Sequence, residues 1–412
     1  MFFNFIYAAA ILAAVLLSLP ASAQQRLSIT SAAWVEGSAN LNALRRGVGV
    51  MMGRNTAGRD TAHWRRSWQF WANIHGHFGE DCAGTVTEEL RGVRPWTPTT
   101  QAERDTWCSC IHRAPGFLTW HRIALVHFED VLQQAAGAPN LRLPFWDVTA
   151  NPRLPAQFRV ATYVDETGRS RPNPLYIANR ARALNDGTAQ ISAAIRNPSD
   201  AMSATTFTAF TTRLENNPHG GVHSALGGGA AGYMSHLSTA GMDPIFWLHH
   251  ANMDRLWECW REGPNGTRTP ASVLDDVYLF VNGVGAGVAS RVSTSITVEQ
   301  LGYSYGAGSN CASAASTMMA SAPAPTDSFR LRLERAVPHD AGTGVFEVWL
   351  VKSNGQRARA GTISFFGADH HGTQRFDLNI AEAAARLGVT EGQAKALRME
   401  VLPTTGLEAV GR

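Results

Sequence analysis

The chain has 412 residues, more than one ordinary domain holds, so two or three are expected. Hydrophobic residues make up 44% and charged residues 17%, which excludes intrinsic disorder and leaves enough apolar surface for a large core. The formal net charge of +3 comes with scattered arginines, so no nucleic-acid surface is implied.

The chain opens on an apolar run, Met1 to Pro20, followed by Ala21-Ser22-Ala23, the small-x-small pattern that signal peptidase cuts. An uncleaved membrane anchor is the competing reading, because the run almost reaches spanning length. Cleavage after Ala23 fits better, since the chain turns polar at once with Gln24-Gln25-Arg26. Residues 1–23 are thus expected to be a signal peptide, and the mature protein to be exported, periplasmic or secreted, with no membrane attachment. Helical patterns follow at Ala43 to Met52 and at Ala62 to His77, the second carrying Trp64, Trp68 and Trp71. A polar loop from Gly79 to Asp105 leads to a largely buried helix, Phe117 to Gln134, broken at Gly137-Ala138-Pro139. Residues 151–200, rich in Pro, Arg and Asn, read as a long surface excursion. Thr205 to Leu214 is short and amphipathic, and Pro244 to Arg261 is a strong helix.

From Ala312 to Asp327 the residues are small, Pro-containing and almost uncharged, which fits a linker. Beyond it the period changes to two, at Phe329, Leu331 and Leu333, then over 345–351 and 362–366. Alternation between turns means strands, so residues 328–412 are expected to form a small β-sandwich with one short helix at Ala381 to Leu387. The fold class is a mainly α domain over residues 24–311 plus this C-terminal β domain.

Most of the histidines lie between His63 and His250, in three clusters. His219 and His223, four apart, share one helix face and can point both imidazoles at one ion. His250 or His249 would supply a third nitrogen. His75, His112 and His121 make a second set of three on separate segments. Helix bundles build metal sites from inward-facing side chains in this way. Imidazole-only sets suit copper or zinc. A zinc hydrolase would need one triplet and a general base, whereas two triplets flanked by Trp and Phe argue for a copper pair in a dry pocket. A helical pair of surface histidines is the bland alternative for His219 and His223. Phe246, four before His250, should wall the pocket. Asp254 and Glu129 could accept the second N–H of a metal-bound imidazole, or simply form salt bridges. His127 faces away from His121, and His63, His236, His339, His370 and His371 read as structural or surface residues.

The segments IHG at 74–76, FLTWHR at 117–122, HxxxH at 219–223 and DPIFWLHHANMDRLW at 243–257 resemble the tyrosinase and polyphenol oxidase family of type-3 copper proteins. The resemblance implies a four-helix bundle around a dicopper centre, with copper A on His75, His112 and His121, and copper B on His219, His223 and His250. It selects His250 because the family uses the second histidine of the pair, leaving His249 to pack beside it. The IHG form selects His75 over His77. The implied activity is dioxygen-dependent oxidation of small phenols, o-diphenols and in some members monophenols, to o-quinones. Reversible oxygen carriage, as in the hemocyanins, is the alternative.

Five cysteines in an exported chain most simply give two disulfides and a free thiol. The resemblance offers another partner for the odd one. Cys110-Ile111-His112 matches the Cys-x-His of fungal-type members, whose sulfur is joined covalently to the imidazole. That thioether leaves Cys82, Cys108, Cys259 and Cys311, and sequence order favours Cys82–Cys108 and Cys259–Cys311. A disulfide from Cys108 or Cys110 with a thiol left over is the competing reading. Glu215, four before His219, resembles the family's water-holding glutamate. Gly220 stands where strong tyrosinases often carry Asn, so diphenol oxidation is expected to exceed monophenol hydroxylation. The segments 344–348 and 361–365 loosely resemble the domain covering the site in latent plant-type polyphenol oxidases. The β domain is therefore expected either to act as a lid, released by cutting the linker, or only to stabilise the bundle.

Overall fold

The computed structural model describes residues 24–75, 98–229, 232–305, 311, 329–336, 344–367 and 373–410. The predicted signal peptide, the linker, His77, Cys82, His339, His370 and His371 lie outside the described residues. No helix among those described is long and apolar enough to cross a membrane.

Strand β1 (Gln24–Gln25) leads to helix α1 (Ala39–Gly53), which Ser38 caps by accepting the Leu41 N–H. The helix expected over 62–77 is broken in two: one turn, Ala62–Arg65, then α2 (Trp68–Asn73). Ser67 causes the break, because its hydroxyl accepts the Phe70 N–H and starts the second segment. Helix α3 (Gly116–Ala136) follows. The stretch 151–200 is a surface excursion only in part: residues 159–172 are exposed or half-buried, but the rest packs on the core. Its apolar residues Leu154, Phe158, Leu175, Leu184 and Ile195 are buried, and strand β2 (Ala189–Ile191) lies within it. They are too widely spaced among Pro and Arg to show a period.

Helix α4 (Phe207–Leu214) runs through a wide turn, Glu215–Gly220, into α5 (Gly221–Gly227), and α6 (Ile245–Glu262) follows. Strands β3 (Val277–Val281) and β4 (Gly287–Arg291) form a hairpin, and β5 (Tyr303–Ser304) pairs in parallel with β1. The C-terminal part contains β6 (Arg330–Ala336), β7 (Val345–Val351), β8 (Arg357–Ser364) and β9 (Thr373–Asn379). It continues with α7 (Ala381–Leu387), β10 (Arg398–Thr404) and β11 (Leu407–Ala409). An antiparallel sheet of order β8-β7-β10 and the antiparallel pair β9-β6 share one apolar cluster, in which Val348, Leu350, Ile363, Phe376 and Leu378 are buried.

The helical core is built on aromatic rings. Trp68, Trp71, Phe128 and Trp247 pack edge to face or stacked where α2, α3 and α6 meet. Each such ring contributes roughly 4–6 kcal/mol from burial before ordering entropy is subtracted. Helix α1 approaches α3 closely at Gly47, where a Cβ would lie 2.7 Å from Leu132 Cδ1. Cys259 and Cys311 form a disulfide, the pairing that sequence order favours. Cys108 is disulfide-bonded as well, and the Cys82 half of the expected pair lies outside the described residues.

Several ties fasten the C-terminal part to the helical core, among them the Arg330–Asp200 ion pair at 3.0 Å. Strand β11 pairs antiparallel with β2, Leu407 opposite Ile191, while the Glu408 carboxylate accepts from Gln190 at 2.8 Å and Arg196 at 3.0 Å. Near the histidines, Asn216 Nδ2 and Asn217 Nδ2 donate to Thr362 O at 3.2 and 2.9 Å, and Ser364 N donates to Asn216 Oδ1 at 3.0 Å.

Candidate metal centre

The two predicted histidine sets meet in one buried place. His75 follows α2 directly, His112 lies in the connection before α3, and His121 is on α3. His219 belongs to the wide turn after α4, His223 to α5 and His250 to α6. Ligand atoms of His75, His112 and His121, with the Cys110 sulfur, all lie within 4.8 Å of one another, and so do those of His219, His223 and His250. The sets are adjacent: the His121 and His250 rings stack at 4.4 Å. His249 points elsewhere, its Nε2 lying 3.3 Å from the His219 carbonyl. His127 likewise turns away, to Ser290 Oγ at 2.8 Å.

Hydrogen bonding to main-chain carbonyls fixes which nitrogen faces inward in four of the six rings. The Nδ1 of His75, His121, His219 and His223 lies 3.0, 2.7, 3.2 and 3.1 Å from the carbonyls of Leu237, Phe117, Glu215 and Met234. A carbonyl only accepts, so each Nδ1 carries the proton and each Nε2 a lone pair. These nitrogens converge with those of His112 and His250. His75 Nε2 is 3.1 Å from His112 Nε2, His223 Nε2 is 3.3 Å from His250 Nε2, and His121 Nε2 and His219 Nε2 have no hydrogen-bond partner. Burial, with repulsion from neighbouring imidazoles second, holds the pKa values of His121, His219, His223 and His250 well below the usual 6.5. Burial alone takes His75 down to about 3. Neutral imidazoles aiming unshared lone pairs at two points are a donor set that fits two metal ions.

The carboxylates considered as acceptors for these rings do something else. Asp254 binds Arg26 at 3.3 Å, Arg122, and the hydroxyls of Tyr303 and Tyr305, both at 2.6 Å. Glu129 binds Arg26 at 3.1 Å and Arg142 at 2.6 Å. The Asp254–Arg122 pair joins α6 to α3, and Arg26 bridges Asp254 to Glu129. The backbone carbonyls take the orienting role instead.

The remaining site residues form the walls and floor. The Phe246 ring sits 4.7 Å from that of His75 and 4.3 Å from that of His250, in the place its spacing predicts. Cys110 Sγ is buried 3.6 Å from His112 Nδ1, and burial pushes the thiol pKa up. Glu215 accepts the Arg113 N–H with both oxygens, at 2.8 and 2.9 Å, and burial raises its pKa to about 7 against the opposing pull of Arg113. Gly220 is pressed close: a Cβ there would lie 3.1 Å from both Glu215 O and Ser364 Oγ.

Two residues escaped the sequence reading. Phe366, just past β8, stacks on His223 at 3.9 Å with 13° between the planes and covers the histidines from the C-terminal side. The adjacent aromatics Phe365 and Phe366 read as strand, although β8 ends at Ser364. Arg113, at φ 55°, donates from Nη2 to Phe366 O at 3.2 Å and to Ser364 O at 3.4 Å. A non-glycine residue in left-handed backbone leaves no periodic signal.

Comparison with known proteins agrees with this geometry. The common central domain of tyrosinase matches residues 65–177 and 170–263. A tyrosinase of Hahella sp. (strain CCB-MM4) is 30% identical over 275 residues, covering 58% of this chain and 56% of that protein. A tyrosinase of Streptomyces glaucescens is 32% identical over 198 residues, covering 40% of this chain and 70% of the relative. A G-type hemocyanin of Enteroctopus dofleini is 33% identical over 190 residues, 42% of this chain and 6% of that much longer protein. The chain thus spans little more than half of the Hahella relative and a small part of the hemocyanin. Among solved structures, latent apple tyrosinase shares the fold, with a TM-score of 0.60 at 18% identity over 94% of this chain and 95% of that one. The chain belongs to the tyrosinase family of type-3 copper proteins.

Proposed function

We propose that the protein is a polyphenol oxidase that oxidises o-diphenols to o-quinones with dioxygen, at two coppers held by His75, His112 and His121 and by His219, His223 and His250. The observation that carries this reading is the convergence of buried imidazole nitrogens: His75 Nε2 and His112 Nε2 at 3.1 Å, His223 Nε2 and His250 Nε2 at 3.3 Å, with His121 Nε2 and His219 Nε2 unpartnered beside them. A single proton can bridge either pair, but His121 Nε2 and His219 Nε2, one in each triplet, have no partner, and an ion facing each triplet would satisfy them. The copper pair supplies the redox chemistry and the activation of dioxygen when bound. The chain's own part is to orient the imidazoles through backbone carbonyls, exclude bulk water with Phe117 and Phe246, and place Glu215 beside the second triplet. Residues 24–311 are read as the catalytic domain, and residues 328–412 as a second domain whose Phe366 stands where a phenol ring would enter.

The occluding ring also favours a second reading. A covered site admits dioxygen more readily than a phenol, as an oxygen carrier requires. Steady-state assay of the copper-loaded chain with a monophenol and its o-diphenol side by side separates the two. The oxidase reading expects o-diphenol turnover to exceed monophenol turnover. Reversible oxygen uptake with no quinone formed, even after residues 328–412 are displaced, would support the carrier.

A further inference from the structure

We infer that Arg113 is a specificity-determining residue that anchors the carboxylate of o-diphenols carrying an acid group two carbons from the ring. The inference rests on the phenol-oxidase reading and adds a substrate class to it. Its basis is what Phe366 does. The ring of Phe366 lies on His223, and its own carbonyl oxygen accepts from Arg113 Nη2 at 3.2 Å. Cβ and Cα separate that ring from the carbonyl carbon, so the covering residue presents the skeleton of a 3-arylpropanoate. Ring and oxygen each have a partner in the site.

The arginine is prepared for more than a carbonyl. Its Nη1 is buried and has no hydrogen-bond partner, while Nη2 is shared between Phe366 O and Ser364 O. A carboxylate occupying the place of the Phe366 carbonyl can accept from both nitrogens in the paired geometry that guanidinium favours. The side chain is also held in position. The Arg113 N–H gives to both oxygens of Glu215, the backbone stays left-handed at φ 55°, and the guanidinium lies 5.9 Å from the Phe376 ring centre. Glu215 lies on the Nε side at 4.0 Å, and the Nη2 side is the one that meets the covering loop. An incoming 3-arylpropanoate therefore competes with Phe366 for both of its contacts. A neutral phenol of the same length competes only for the ring contact.

The test uses the copper-loaded full chain carrying Phe366→Ala (or Phe366→Leu should the alanine variant lose helical content). This clears the ring from His223 but keeps the main-chain oxygen of residue 366 on Nη2, so the acid takes the unpartnered Nη1 and displaces that oxygen. The first readout is binding of 3-phenylpropanoate, which has no hydroxyl to oxidise, against neutral 3-phenylpropanol. The acid is expected to bind about tenfold more tightly than the alcohol, as a charge-assisted pair gives. Adding Arg113→Gln should remove that difference, and Arg113→Lys should restore part of it. The second readout is turnover. The kcat/KM ratio of 3-(3,4-dihydroxyphenyl)propanoate to 4-methylcatechol should fall about tenfold with Arg113→Gln, through KM and not kcat. Equal affinity for acid and alcohol, or an acid preference that survives Arg113→Gln with copper content unchanged, would overturn the inference. Proteins that bind the acid through Arg113 yet oxidise neither diphenol would instead contradict the oxidase reading.

Discussion

Main-chain carbonyls, not carboxylates, orient four of the six clustered imidazoles, so ring geometry is inherited from the helix and turn backbones. The acidic residues nearby serve a different end. Asp254 balances Arg26 and Arg122 in a buried cluster. Its removal leaves two buried guanidinium groups with one carboxylate each, Glu129 and Glu258, and the Tyr303 and Tyr305 hydroxyls without their acceptor. Asp254→Ala should therefore cost about 3–5 kcal/mol in urea unfolding, with the loss reduced when Arg26→Met is added. A cost below about 1 kcal/mol would show that the cluster is already solvated. Cys110 carries the second residue-scale prediction. With Sγ 3.6 Å from the His112 ring, a thioether would hold that ring in place. Peptide mapping after reduction and alkylation is expected to find Cys110 joined to His112, and an alkylated Cys110 would exclude the bond. At this scale the histidines were legible because their spacing and flanking motifs are local. Phe366 and Arg113 were not, because their roles depend on a loop meeting the site from more than a hundred residues away in sequence.

The elements that bear the histidines were read well where a long apolar stripe runs unbroken, as in α3 and α6. Reading failed where a local side-chain bond redirects the backbone. Ser67 splits the segment before His75, and Pro218 hides the wide turn that brings His219 beside His223. An ordinary helix would have given the same four-residue spacing, so sequence could not separate the two. Helix α3 is tied to β4 by His127, whose burial lowers its pKa to about 4. Between about 6.5 and about 4 the unfolded chain takes up a proton that the native ring refuses. The contribution of this residue is thus whole above about pH 6.5 and is lost as pH falls towards 4. The stability gap between wild type and His127→Gln should narrow from about pH 7 to about pH 5 in urea unfolding, and a constant gap would contradict the linkage.

Across the whole molecule, the change from helical to alternating periodicity revealed a helical part followed by a β part. How the two dock was not legible, since docking rests on polar contacts such as Asn217 to Thr362 and on the short strand β11 against β2. Those contacts bear on control of the site. A cut between residues 312 and 327 removes the covalent link but leaves β11 paired, so the C-terminal part should stay bound on gel filtration and turnover should rise little. Ending the chain after Thr404 in addition to the cut should release the cover and raise o-diphenol turnover severalfold at unchanged copper content. Full activation by the cut alone would show that β11 does not hold it. All of this depends on two histidine triplets that each hold one ion, and equilibrium copper titration tests that claim most directly. Wild type should bind two coppers per chain, while folded His121→Ala and His219→Ala should each bind one and lose o-diphenol oxidation. Two coppers with full activity in either variant would contradict the assignment.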